Sequence, residues 1–274
     1  MRFGYFFVAC GLALSACARQ PAEPLILATT TSVGNSGLLE TLLPAFERHQ
    51  GPAVRSHLVG SGLALKMLER GDVDVVISHA PAAEAAALSS HPAWRYQKVM
   101  FNDFVLVGPP ADPAGVRQAV NTPDAMRRIA RSTTRFLSRG DQSGTHEREE
   151  ALWQAAGARP GDGRLVVAGA AMGATLRIAS ETDSYSLSDR ATFLRLVNSL
   201  RLAIVHEGDA ELLNTYSVII DPRGPHAAGA QVFADWLAAG EGRQAVESYR
   251  VDGRQVFFAW PAGQPADRPE ALPR

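Results

Sequence analysis

The run Arg139-Gly140-Asp141-Gln142-Ser143-Gly144-Thr145-His146 puts a cation, two hydroxyls and glycine at a predicted strand-to-helix junction. Arginine offers a planar fork of donors that matches an oxyanion. A helix start leaves backbone N–H groups without intrahelical partners and adds partial positive charge. Glycine lets the backbone come close to a ligand. Chemistry of this kind grips a small, acceptor-rich anion. On this segment alone a plainer reading stays open: an ordinary capped helix, with Ser143 as N-cap and Arg139 paired to Asp141.

The elements that would position this run are legible on both sides of it. Arg135–Ser138 reads as a strand leading in, and Gly144–Ala156 as a helix leading out, with Leu152 and Trp153 on its apolar side. Upstream, Leu25–Ala28 reads as an apolar strand and Ser36–His49 as a helix with Leu38, Leu39, Leu42, Leu43 and Phe46 at helical spacing. Val54–Val59 reads as a strand, Ser61–Glu69 as a helix ending near Gly71, and Val73–Ile77 as a short buried strand. This βαβαβ order predicts an open α/β sheet with ligands at the carboxyl ends of its strands. The loops there are Thr29-Thr30-Thr31-Ser32, Gly60-Ser61-Gly62, Ser78-His79-Ala80-Pro81 and the arginine run. A single hydroxyl is commonly only a cap. Four such loops at one end of a sheet predict a binding cleft.

Further along, Val99–Val107 is β-rich and stops at the breaker cluster Gly108–Pro113, read as a hinge. A second α/β region spans Gly115–Ser199. Leu202–Val205, Tyr216–Ile220, the helix Ala227–Ala238 and Gln244–Tyr249 read as a return to the first. The expected organisation is a signal peptide (1–16), a tether (17–24), a discontinuous first lobe (25–108 and 202–260), a second lobe (109–201) and a loose tail (261–274).

The first residues predict the compartment. Arg2 precedes an apolar stretch from Phe3 to Leu14 that is too short to span a bilayer, and Leu14-Ser15-Ala16-Cys17 resembles the bacterial lipobox. Cys17 is then the lipid attachment point, and the protein is extracytoplasmic and touches membrane through its anchor alone. Cys10 is the one other cysteine, inside the removed peptide, so the mature domain has no thiol for a disulfide, a zinc site or a nucleophile. The formal net charge of −1 and the lack of a basic arm argue against nucleic acid. No metal-ligand cluster or cofactor motif is seen, and a monomer is expected.

These residues also carry a family resemblance. Ala28–Ser32, Asn35–Leu39 and Leu42–Glu47 look like the opening of the tungstate-binding proteins of bacterial ABC importers. Gly71–Val75, His79–Pro81, Val99–Pro109, Ser138–His146, Met172–Leu176, Tyr185–Thr192, Glu207–Asp209 and Leu213–Tyr216 continue it, so that it covers about Ala28–Tyr249. The resemblance implies the α/β, two-lobed periplasmic binding protein type II fold, with mixed sheets flanked by helices and a cleft between lobes. It implies an ABC permease and its ATPase as partners. It points to Thr30, Thr31, Ser32, Ser61, Arg139, Ser143, Gly144 and Thr145 as anion ligands, with Arg190 as a candidate from the other lobe and Asp189 as that arginine's alternative partner. Asp141 is read as orienting Arg139, and Met172 as packing. Asn35, Ser61 and Ser78 depart from the family's usual aspartate, threonine and apolar residue.

His79 bears on which anion is expected. The chain also looks distantly like phosphate-binding proteins, which use an aspartate at this place to accept the proton phosphate retains. Tungstate and molybdate are fully deprotonated near neutral pH and need donors, which histidine supplies. Tungstate is therefore the expected ligand, with molybdate next and phosphate or sulfate third; a loop histidine capping a local carbonyl is the plainer role for His79. A hydrolase built on Ser143 and His146 is the remaining alternative, but the Gly-x-Ser-x-Gly elbow and a third group to orient the histidine are missing.

Overall fold

A computed structural model describes residues 23–49, 51–161 and 163–269 of the 274-residue chain. The expected signal peptide, Cys17 and all of the tether except Glu23 and Pro24 lie outside the described residues, as do residues 270–274.

The chain opens with β1 (Leu25–Thr30), α1 (Thr31–Ser36), α2 (Leu38–Arg48), β2 (Val54–Val59), α3 (Ser61–Arg70), β3 (Val75–Ser78), α4 (Pro81–Ser90) and the long β4 (Arg95–Gly108). Next come α5 (Thr122–Arg131), β5 (Phe136–Ser138), α6 (Gly144–Ala156), β6 (Leu165–Val167), α7 (Met172–Glu181), β7 (Ser186–Asp189), α8 (Arg190–Leu196) and β8 (Ala203–His206). It closes with β9 (Leu213–Ile220), α9 (Ala227–Ala239), α10 (Glu241–Ser248), β10 (Arg250–Val251), β11 (Arg254–Gln255) and β12 (Phe258–Ala259).

Two sheets share β4. The first runs β12-β4-β9-β3-β1-β2, parallel around β1 and antiparallel around β9. In the second, β7 and β8 flank the end of β4, and β5, paired with β6, is bridged to the start of β7 through Phe136 and Tyr185. Residues Arg95–Asp103 of β4 pair with β9, whereas Phe104–Gly108 pair with β7 and β8. The chain thus passes between sheets inside a continuous strand, ahead of the breaker cluster read as the hinge. It returns between β8 and β9, so β8, expected in the first lobe, pairs in the second sheet. Breaker residues mark where a strand stops. They do not mark where its neighbours change.

Alternation explains why the central strands are apolar on both faces. Val75 and Ile77 of β3 join one core with Leu25, Leu27 and Phe46, while Val76 joins a second with Ala28, Leu65 and Trp94. Likewise Val105 and Val107 of β4 face the first core, and Phe104 and Leu106 face a third, with Phe136, Trp153 and Leu187. Each fully buried leucine or phenylalanine contributes about 1.5–3 kcal/mol. Met172 is fully buried in the first core, as a packing residue should be.

The helix expected over Ser36–His49 starts earlier and breaks in two at Gly37, whose φ of 79° is left-handed. A Cβ there would also meet the Arg195 guanidinium at 1.6 Å. The consequence is functional: α1 begins at Thr31 with Thr30 as its N-cap, so the hydroxyl run spans a strand end and a first helical turn instead of a loop. The described part of the tail forms no helix or strand, and its Ala266 carbonyl accepts from Lys98 N at 2.8 Å. Among the described residues, no helix is long and apolar enough to cross a membrane.

Candidate anion-binding site

Arg139 follows β5 in the second lobe and is 2% exposed. Its Nη1 reaches Thr145 Oγ1 at 3.2 Å and, in the first lobe, Ser32 Oγ at 3.4 Å. Its Nη2 pairs with Asp141 and lies 3.5 Å from Thr31 Oγ1. The guanidinium therefore sits where the hydroxyls of both lobes meet, and its buried Nε has no partner. Asp141 also accepts from Ser143 N at 3.2 Å, so one carboxylate aims the arginine and shapes the turn into α6. This is the orienting role expected of it.

Several expected ligands present helix starts. Thr30 Oγ1 accepts from Val33 N at 3.3 Å, and Ser143 Oγ accepts from His146 N at 3.3 Å. Both hydroxyls are N-caps of helices, α1 and α6, that begin at the cleft. Ser61 opens α3, is fully buried, and accepts from His79 N at 3.4 Å. Gly144 does more than admit an anion. A Cβ on it would lie 2.6 Å from the His79 carbonyl oxygen, so glycine here lets α6 touch the facing lobe.

His79 is 2% exposed and stacks on Tyr216 with ring centroids 4.9 Å apart. Asn214 Nδ2 donates to Asn102 Oδ1 at 2.7 Å and to the Tyr216 hydroxyl at 2.9 Å. Its Oδ1 then faces His79 Nδ1 at 2.8 Å, which places the ring proton on Nδ1. Burial lowers the imidazole from 6.5 to about 4, with the Asn214 bond opposing and the Arg139 and Arg148 charges assisting. The ring is neutral near pH 7, its N–H is spent on Asn214, and Nε2 is an unpartnered lone pair. In this geometry His79 Nδ1 faces the Asn214 amide and not a local carbonyl, and Nε2 is the nitrogen left for any contact with an anion.

Arg190 departs further. It makes a bidentate pair with Asp103, through Nε at 2.8 Å and Nη2 at 2.5 Å, and reaches Glu207 with Nη1 at 2.6 Å. Its donors go to Asp103 and Glu207 and not to Asp189, in a cluster at the two strand crossings. Asp189 instead caps α8, accepting from Thr192 N at 2.8 Å. It is fully buried, and burial pushes its carboxyl to about 6 against the pull of Thr192 and Arg139.

His146 does not form a relay with Ser143. Its Nδ1 accepts from Gln142 N at 3.1 Å, and its Nε2 lies 3.5 Å from Glu150. Sequence reasoning gave no role to Asn102, Asn214 and Tyr216, which hold His79. The signal available was the Leu213–Tyr216 stretch of the family resemblance, whose polar residues lie on a strand that reads as apolar. Among the described residues, no cluster of three or more His, Cys, Asp or Glu side chains could hold a metal.

Two lobes joined by strand crossings, with a buried arginine shared between them, define a two-lobed solute-binding protein. The chain belongs to the periplasmic binding protein (PBP) superfamily, whose domain profile matches residues 16–241. More particularly, it is 37% identical over 246 residues to the tungstate-binding protein TupA of Peptoclostridium acidaminophilum, covering 88% of this chain and 85% of that protein. Among solved structures, that of the tungstate ABC transporter from Geobacter sulfurreducens aligns with a TM-score of 0.75 at 38% identity, covering 83% of this chain and 99% of that one. The tungstate-binding protein TupA from Desulfovibrio alaskensis G20 aligns at 0.74 and 36% identity, over 86% and 98% of the two chains. These findings bear out the resemblance drawn from the motifs, and the type II fold with it. The relatives are named for binding and transport, in line with a receptor and not an enzyme.

Proposed function

We propose that this chain captures tungstate outside the cytoplasm, closes its lobes over the anion and delivers it to an ABC permease driven by a separate ATPase. The observation that carries the reading is Arg139, a buried cation whose two terminal nitrogens face hydroxyls from both lobes. A dianion between them gains a charge-assisted fork together with the N–H groups at the starts of α1, α3 and α6. Thr30, Thr31, Ser32, Ser61, Ser143, Gly144 and Thr145 supply the remaining donors. His79 walls the cleft and leaves no fixed carboxylate at the place where a phosphate receptor needs one, which favours tungstate or molybdate over phosphate. The names of the relatives favour tungstate over molybdate.

The receptor works as a monomer held to the membrane by lipid on Cys17. Competition calorimetry with tungstate, molybdate, sulfate and phosphate tests the ligand. Tungstate and molybdate should bind at least about a hundredfold tighter than the other two, a gap of about 2.7 kcal/mol. Tighter binding of phosphate or sulfate would refute the assignment. The anchor is tested separately: Cys17→Ser should abolish incorporation of labelled fatty acid, and unchanged labelling would remove the lipoprotein claim.

A further inference from the structure

We propose that Glu147 is a positioning residue for anion capture: its carboxylate docks on the start of α4 in the facing lobe and latches the cleft shut. The inference rests on the reading of this cleft as the anion site.

The donors at the start of α4 can be accounted for one by one. Its N-cap, Ala80, has no side chain to offer, and Pro81 has no N–H. Glu84 folds back to accept from Ala80 N at 3.0 Å, and Glu84 N bonds the Ala80 carbonyl at 2.9 Å. Ala82 N and Ala83 N remain without partners inside the helix. Glu147 meets the first of these from the other lobe, with Oε1 2.9 Å from Ala82 N. Its position is set by α6, which carries Ser143, Gly144 and Thr145 at its start and Glu147 in its first turn.

Gly144 supplies an independent observation at the same contact. Its α-carbon approaches His79 so closely that a Cβ would stand 2.6 Å from the His79 carbonyl and 2.9 Å from the ring. His79 lies two residues before the start of α4, so one face of α6 docks twice on one short segment. Burial raises the Glu147 carboxyl above its usual range, with Ala82, Arg148 and Ala83 opposing, as expected for an acid drawn out of water when lobes meet. The carboxylate of Glu147 bonds across the cleft to Ala82, which is not among the expected ligands. This bond exists while the lobes are together and is replaced by water when they part. Glu147 therefore slows anion release without speeding its arrival.

Stopped-flow binding of tungstate to the full chain tests this in wild type, Glu147→Ala and Glu147→Gln. Glu147→Ala should raise the dissociation rate about tenfold, the effect of one charge-assisted hydrogen bond. The association rate should stay within about twofold. Glu147→Gln keeps an acceptor oxygen without the charge, and should fall between the two. A wild-type dissociation rate in Glu147→Ala would overturn the latch. Amide exchange at Ala82, measured with saturating tungstate so that the lobes are together, reads the contact directly and should be at least about threefold faster in Glu147→Ala. Equal exchange rates would also overturn it. A wild type that binds no tungstate would sink only the ligand, and the same exchange comparison with whichever of molybdate, sulfate or phosphate does bind would then decide the latch.

Discussion

Arg139 and Arg190 are both drawn out of solvent where the lobes meet, and their neighbours put them to opposite uses. Arg190 is held by two carboxylates, Asp103 and Glu207, which raise its pKa above the usual arginine value through hydrogen bonds first and charge second. Its donors are occupied and its charge is more than balanced. Arg139 has one carboxylate, Asp141, and otherwise faces hydroxyls, which solvate a cation without cancelling it. An arginine is available to an anion when its protein partners leave net charge and a free direction. Arg190 ties β4, α8 and the β8–β9 connection together at the crossings, while Arg139 waits at the cleft.

The sharpest way to break this comparison is to remove Arg139. Arg139→Ala takes away the main counter-charge of a buried dianion, at a cost of about 3–5 kcal/mol. Tungstate affinity should fall by at least about two orders of magnitude in calorimetry. Arg139→Lys should recover part of it, since an ammonium lacks the fork. Near-normal affinity in Arg139→Ala would place the anion elsewhere.

A buried acid beside the cleft sharpens the contrast through pH. Burial raises Glu149 from its usual 4.5 to about 7, with the Trp153 indole among the groups opposing. The folded state then holds this proton more tightly than the unfolded state does. The resulting stability is complete below about pH 4.5 and is lost as pH rises through about 7. Glu149→Gln should flatten that decline, leaving the variant more stable than wild type above pH 7 by up to about 3 kcal/mol. Parallel pH–stability curves for the two proteins would mean that Glu149 titrates as an ordinary carboxyl.

Gly144→Ala acts on closure. The added methyl meets backbone at the His79 carbonyl, which cannot swing aside. Overpacking of this kind costs about 1–3 kcal/mol in the closed form. Tungstate affinity should drop by about tenfold or more, with little change in melting temperature when no anion is present. An unliganded melting temperature that falls as far as the affinity does would turn the residue into a folding determinant.

The smallest effect is expected at Arg190. Its ion pairs are partly exposed, so Arg190→Ala should cost at most about 1 kcal/mol. The melting temperature should drop by about 2–4 °C, and tungstate affinity should remain within about threefold. A loss as large as that in Arg139→Ala would restore Arg190 to the ligand set and erase the comparison.

Local chemistry made much of the molecule readable in advance. The limits of β2 and α6 match the sequence reading, since β2 stops at Gly60, the N-cap of α3, and a Ser143 cap and Gly157 frame α6. Arg139, Asp141 and Ser143 act within a few residues of one another, so their spacing alone carries the Arg139–Asp141 pair and the turn. The family resemblance added the first-lobe hydroxyls, Thr31 and Ser32, that face them. Less legible was anything depending on which strands become neighbours. β8 reads the same in either sheet, and only its pairing with β4 assigns it. Arg190 sits beside Asp189 in sequence, yet the start of a helix points consecutive side chains apart, and Asp189 turns inward to cap that helix.

By itself, then, the amino-acid order carried many of the elements, the arginine run and the hydroxyl-rich strand ends, because each follows from backbone preference and short-range hydrogen bonding. Tertiary structure decided which donors are spent. The His79 proton goes to Asn214, Arg190 goes to Asp103 and Glu207, and Glu147 finds Ala82 across the cleft. These pairs join residues far apart in the chain. A buried donor or acceptor takes whatever partner folding brings within about 3 Å, and local sequence does not encode that distance.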